Sequence, residues 1–118
     1  MFPVMATLTP ASFWILTALA SQRRHGYDIL RETAEASDGR VTLKVATLYA
    51  ALERLEDEGL VRSDGEEVVD GRTRRYFRIT DSGGARLAAE AEAMAAAARV
   101  AQARLSAPKT ARTAAVPA

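Results

Sequence analysis

Residues 25–80 read HGYDILRETAEASDGRVTLKVATLYAALERLEDEGLVRSDGEEVVDGRTRRYFRIT, and this stretch decides the fold. It opens with a helical pattern from Gly26 to Ala36, in which Tyr27, Ile29, Leu30 and Ala34 are available to a core. Ser37-Asp38-Gly39 breaks that helix, and Arg40 to Leu43 forms a short extended link. A second helical pattern runs from about Lys44 to Glu58 and stops at Gly59, a natural C-terminal cap. Val45, Leu48, Leu52 and Leu55 recur at helical spacing as its core stripe, while Ala46, Thr47, Ala50, Arg54 and Asp57 lie opposite. Leu60 to Val69 and Arg74 to Thr80 read as strands joined across Asp70-Gly71-Arg72-Thr73, since Asp-Gly between strand patterns signals a hairpin. In the second strand Phe77 and Ile79 face the core, and Tyr76 and Arg78 face away.

Upstream, Thr9-Pro10 pairs a hydroxyl N-cap with proline at the first helical position, starting a helix to about Ser21. Phe13, Trp14, Ile15, Leu16 and Leu19 make it apolar on most sides, so it is expected to be buried between partners. Helix, helix, helix and hairpin in this order predict a mainly α protein with a small β-hairpin (α+β), a winged helix-turn-helix over residues 1–80. That module sets one helix in the DNA major groove with the hairpin beside it. Thr80-Asp81 then opens a last helix, 81–105. Its residues Leu87, Ala91, Met94, Ala98, Ala101 and Leu105 form an a/d seam, a narrow stripe that favours pairing with a second copy. The other reading is an alanine-rich helix stable by propensity alone. Residues 106–118 have too little apolar content to fold and are expected to be a disordered tail.

Composition narrows the function. A chain of 118 residues holds one domain with a modest core. With no cysteine there is no disulfide, thiolate metal site or Cys nucleophile. His25 is the single histidine and sits at a turn, where it is expected to cap or pack. No glycine-rich phosphate loop, metal-ligand cluster or nucleophile–base set is visible, so neither an enzyme nor a cofactor is expected. The apolar run from Phe13 to Ala20 is far below the ~20 residues of a membrane span, and Met1 to Thr9 lacks an export signal. A cytoplasmic location is the default expectation. Net charge is only +1, but Arg72, Arg74, Arg75 and Arg78 crowd Gly71 to Ile79 without an acid, whereas Glu53, Glu56, Asp57 and Glu58 end the preceding helix. The hairpin is thus a candidate DNA-contacting wing or, alternatively, a solvated surface.

Several fragments in order resemble the PadR family of bacterial transcriptional regulators. They are His25-Gly26-Tyr27-Asp28-Ile29, Thr47-Leu48-Tyr49-Ala50-Ala51-Leu52 and Arg54-Leu55-Glu56-Asp57-Glu58-Gly59-Leu60-Val61. Gly71-Arg72, Arg75-Tyr76-Phe77-Arg78-Ile79-Thr80 and Gly83 continue the match. The single short C-terminal helix is similar to the family's smaller branch. The resemblance implies a homodimeric repressor whose C-terminal helices build the dimer, with a wing that straddles the DNA backbone. One departure stands at Lys44-Val45-Ala46, where the family usually has Ser, a variable residue or Pro, then Gly. A lost serine cap weakens a helix start by about 1 kcal/mol unless replaced. Thr42 and Thr47 are the candidate substitutes, and Lys44 could instead touch a phosphate.

The candidate DNA-binding residues are Tyr27, Lys44, Thr47, Tyr49, Ala50, Arg54, Arg72 and Arg74. Thr47 and Ala50 are the expected base-edge contacts, and Arg72 and Arg74 the expected phosphate or minor-groove contacts. Lys44 and Tyr27 are expected at the backbone. Tyr49 is either a half-buried packing residue or, by the resemblance, a phosphate ligand, and Arg54 either binds phosphate or pairs with Glu58. Phe13, Trp14 and Met94 are either core or, as the resemblance suggests, the lining of a pocket for a flat aromatic effector. The partners expected are therefore double-stranded DNA with a palindromic operator, a second copy of the chain, and such an effector. The competing reading is a winged helix used for protein–protein contact without specific DNA binding.

Overall fold

The Thr9 hydroxyl accepts the Ser12 amide at 3.1 Å and Pro10 takes the first helical position, so the first helix starts with its free N–H groups covered. The computed structural model describes residues 7–107. In order they form α1 (Pro10–Ala20), β1 (Arg24–His25), α2 (Gly26–Ala36), α3 (Val45–Asp57), β2 (Val61–Val69), β3 (Arg72–Ile79) and α4 (Asp81–Leu105). The fold is α+β, a winged helix-turn-helix whose antiparallel sheet has the strand order β1-β3-β2. One core unites Ile15, Leu16 and Leu19 of α1, Ile29 of α2, Leu48, Leu52 and Leu55 of α3, and Phe77 of β3. Only one face of α1 is fully buried, and Phe13, Trp14 and Thr17 stay half-buried.

Two expected core residues lie outside it. Val45 is 60% exposed and Tyr27 is 72% exposed. Each sits in the first turn of its helix, and helical periodicity gives a face without saying how far the neighbouring elements extend. The buried positions of α2 are Gly26, Ile29 and Thr33 instead.

The hairpin is longer than expected. Val69 pairs with Arg72, so the turn is Asp70-Gly71 alone and β3 begins at Arg72. Both turn residues have positive φ, 52° and 76°, the geometry of a tight hairpin turn whose twist matches its strands. Ser63 pairs with Phe77 and Glu66 with Arg75, which leaves one extra residue in β2 at Asp64-Gly65. Gly65, at φ 88°, accommodates this bulge. Its effect is to keep Ser63 and Glu66 on the face that carries Phe77.

The strand β1 was not anticipated. Arg24 and His25 pair with Phe77 and Tyr76, fastening the hairpin to the helices. The Arg24 side chain is only 11% exposed. Its guanidinium donates to the Ala18 carbonyl at 2.7 Å, to the Ser21 hydroxyl at 3.3 Å and to the Asp28 carboxylate at 2.9 Å.

Thr80 fixes the start of α4. Its hydroxyl donates to the Gly59 carbonyl at 2.7 Å and accepts the Gly83 amide at 3.0 Å. The helix lies so close to Leu60, just before β2, and to the end of β3 that a Cβ on Gly83 would collide with the Leu60 carbonyl and stand 2.8 Å from Ile79 Cγ1. Leu87 packs against the core, but every residue from Ala91 to Ser106 is exposed, so α4 projects from the body. Ser106 caps α4; the rest of the expected tail, 108–118, lies outside the described residues.

Gly83→Ala should destabilise the fold by about 1–3 kcal/mol, because the obstacle is rigid backbone. Gly84→Ala, which meets open space, should instead stabilise it by about 0.5–1 kcal/mol through helix propensity. Urea denaturation of the two variants tests this, and equal effects would contradict the close approach of α4 to the Leu60 carbonyl.

Candidate nucleic-acid interface

The expected DNA-contacting residues fall mainly at the start of α3 and on the hairpin. Lys44 is the N-cap of α3 and makes no side-chain cap hydrogen bond. Among the described residues the Thr42 and Thr47 hydroxyls do not replace it, so the first amides of α3 lack a side-chain acceptor. Unfilled N–H groups at a helix start favour an anion. Lys44, Val45, Ala46, Thr47 and Ala50 are all exposed there, with no acid among them.

In the wing the arginines divide into two pairs. Arg75 donates to the Ser63 hydroxyl at 2.7 Å, pairs with Glu56 at 3.4 Å and lies 4.9 Å from the Phe77 ring centroid. Arg78 pairs with Asp64 at 3.2 Å. Arg72 and Arg74 are exposed, and their side chains enter no ion pair or hydrogen bond among the described residues. The register corrects the picture of a wing without acids. Glu67 lies directly opposite Arg74 and Glu66 opposite Arg75, while Arg72 faces the apolar Val69. The strand holding the acids and the strand holding the arginines are distinct in sequence, so only the register reveals the pairing.

A cleft of about 470 Å³ lies between the start of α2 and the wing, with Tyr27, Tyr49 of α3, Arg72, Thr73 and Arg74 on its walls. Tyr49 is 42% exposed, so it serves both packing and surface. Its ring meets Phe77 at 6.4 Å between centroids, and its Cζ would stand 3.0 Å from a Cβ on Gly26. Gly26 thus lets the tyrosine lie flat against the start of α2. Four expected residues, Tyr27, Tyr49, Arg72 and Arg74, therefore share one cleft, with Lys44, Thr47 and Ala50 on the adjoining helix start.

Arg54 does not pair with Glu58 among the described residues. Its guanidinium is turned toward α1 and donates to the Ser12 hydroxyl at 3.3 Å. Ser12 is buried and its hydroxyl accepts at a place that spacing within α3 could not disclose. Sequence reasoning also passed over Arg23, whose guanidinium lies 4.1 Å above the Tyr76 ring on the outer sheet face, and Val45, whose exposure was hidden by its fit to the apolar stripe. Of the residues suggested for an effector, Phe13 and Trp14 stand edge to face at 5.3 Å and Met94 is 50% exposed. Any space they bound is open in the single chain.

His25 lies at the base of the cleft and caps α2, accepting the Asp28 amide on Nδ1 at 3.4 Å. Burial first, then the charge of Arg74 and that of Arg31, lower its pKa from 6.5, outweighing the opposite pull of Asp28 and Glu67. For Asp28 burial acts to raise the pKa, but the hydrogen bonds and charges of Arg24 and Arg31 prevail and hold it below 3.8. Among the described residues no group of three or more His, Cys, Asp or Glu could hold a metal, and no helix is long and apolar enough to cross a membrane.

Residues 15–89 match the profile of the Transcriptional regulator PadR-like family. The chain belongs to the PadR-like family. Transcriptional regulator Rv3488 of Mycobacterium tuberculosis is 42% identical over 67 residues, which span 57% of this PadR-like chain and 62% of that protein. The chain thus matches less than two thirds of that relative's length. A transcriptional regulator from Clostridium thermocellum is 30% identical with a TM-score of 0.65, covering 78% of this chain and 86% of that one. Bacillus subtilis PadR, solved in complex with operator DNA, is 26% identical with a TM-score of 0.58, covering 64% of this chain and 44% of that one.

The His25 cap supplies a pH prediction. Only the unprotonated Nδ1 can accept the Asp28 amide, and the folded pKa is below the unfolded one. The stabilisation is therefore present above the ordinary histidine pKa and lost as pH falls through the lower folded value. The thermal midpoint should drop between about pH 7.5 and about pH 5, above the range where Asp28 titrates. His25→Asn, which keeps an acceptor that does not titrate, should flatten that drop; an undiminished drop would contradict the assignment.

Proposed function

We propose that this PadR-like chain is a sequence-reading DNA-binding regulator that acts as a homodimeric repressor on a roughly palindromic operator. The observation that carries this reading is the pair Arg72 and Arg74, exposed and without side-chain partners among the described residues, in one cleft with Tyr27 and with Tyr49 of α3, the helix whose exposed start is free of acids. The start of α3 enters the major groove, where Thr47 and Ala50 approach base edges. Lys44 and the free amides of α3 meet one phosphate strand, and Arg72 and Arg74 meet the backbone or minor groove beyond. The operator complex of the Bacillus subtilis relative supports the DNA partner. Arg54, bonded to Ser12, takes a positioning part between α3 and α1 rather than a phosphate.

Dimerisation rests on α4. A 25-residue helix is about 37 Å long, and its outer part is exposed from Ala91 onward, with Leu105 at 79%. Ala91, Met94, Ala98, Ala101 and Leu105 form the seam toward the second copy, while Leu87 anchors the helix to its own core. An aromatic effector would then sit where Phe13 and Trp14 meet the seam at Met94, and release the operator by shifting α4. Repression follows from occupying the promoter; neither catalysis nor a cofactor takes part.

A mobility-shift titration on the chain's own upstream DNA tests the wing. Arg72→Ala with Arg74→Ala should weaken binding to all sequences and lower the log–log salt slope by about 1 per lost phosphate contact; an unchanged slope removes the wing from the interface. No retarded species at low or high salt would favour a protein–protein module instead. Ala98→Glu should give a monomer in sedimentation with its helix content kept, and an unaltered mass would place the dimer contact elsewhere.

A further inference from the structure

We propose that Val45 reads thymine methyl groups, so that this chain selects an A·T pair at the step of each half-site that α3 approaches first. The inference rests on the DNA-binding reading above and adds to it a specificity-determining residue. Val45 is the first residue of α3 and is 60% exposed. A scattered exposed apolar side chain needs no explanation; position is what separates Val45 from the others. It stands one helical turn before Tyr49, on the same flank, and Tyr49 lines the cleft that also holds Arg72 and Arg74.

The chemistry of this helix tip is narrow. Val45, Ala46 and Ala50 are exposed and present only methyl groups, and the Thr47 hydroxyl is the one side-chain hydrogen-bonding group among them. In the major groove a G·C pair offers acceptors on guanine and an amino donor on cytosine, which a methyl surface leaves unpaired. An A·T pair offers the thymine C5-methyl, which an isopropyl group can bury. Valine in a helix keeps essentially one χ1 rotamer, so the side chain loses little freedom on contact. Lys44 on one side and the wing arginines on the other would hold the phosphates and thereby set the register in which the methyl is met.

The test uses the full chain and a duplex enriched by it from a random-sequence DNA pool. Deoxyuridine replaces thymidine one position at a time, which removes only the methyl group. The wild-type chain should bind about three- to fivefold more weakly at one position per half-site. Val45→Ala should bind the thymine and uracil duplexes equally at that position with an unchanged salt slope, and Val45→Ile should keep the discrimination. Indifference of the wild type to every uracil overturns the proposal, as does undiminished discrimination by Val45→Ala, which would assign the methyl contact to Thr47 or Ala50. Failure to enrich any duplex instead sinks the DNA-binding reading and this inference with it.

Discussion

The hairpin is held to the helices through a two-residue strand, and that strand is held by the Arg24 guanidinium. Arg24 and His25 pair with Phe77 and Tyr76, while the Arg24 side chain reaches the end of α1 at Ala18 and the first turn of α2 at Asp28. Both ends of the Arg24–Asp28 pair are mostly covered, at 11% and 15% exposure. A largely covered pair is weak evidence for net stability, and Asp28 also meets Arg31 while Arg24 approaches Glu32, so neither charge depends on one partner alone. Here the pair has a geometric consequence. It fixes α1, α2 and β3 to one another, and so sets the wing beside the start of α2 that shares its cleft.

Inside that frame the arginines divide by what surrounds them. Arg24, Arg75 and Arg78 lie where carboxylates of α2, α3 and β2 meet them, and they shape the protein. Arg72 and Arg74 lie beside Tyr27 and Tyr49, where among the described residues no acidic side chain is bonded to them. Glu67, across the ladder from Arg74, tempers the local potential without forming an ion pair. The bulge at Gly65 and the tight Asp70-Gly71 turn set this register. A one-residue slip would exchange the faces of the wing and turn Phe77 out of the core.

Much of this was legible in the sequence because it depends on local chemistry. Thr9-Pro10, Asp70-Gly71 and Thr80-Asp81 each mark an element boundary through a cap or a turn, and the structure places boundaries there. The alternation of Tyr76, Phe77, Arg78 and Ile79 assigned the core face of β3 correctly. What escaped depends on contacts between distant segments. The two residues of β1 are too few for a strand pattern, and Arg54 bonds to Ser12 across 42 positions. Val45 matched the apolar stripe, yet among the described residues it stays 60% exposed in the first turn of α3. In the candidate site, residue types pointed to the helix start and the wing; their convergence on one cleft required the fold.

The central claim is that the start of α3 and the wing tip act as one DNA-facing surface. Backbone amide shifts of the isotopically labelled chain, followed as an enriched operator duplex is added, address it residue by residue. Concerted changes are expected at residues 44–50 and 72–74 and at Tyr27, with little change along residues 91–105. Changes confined to α4, or to one of the two elements without the other, would contradict it.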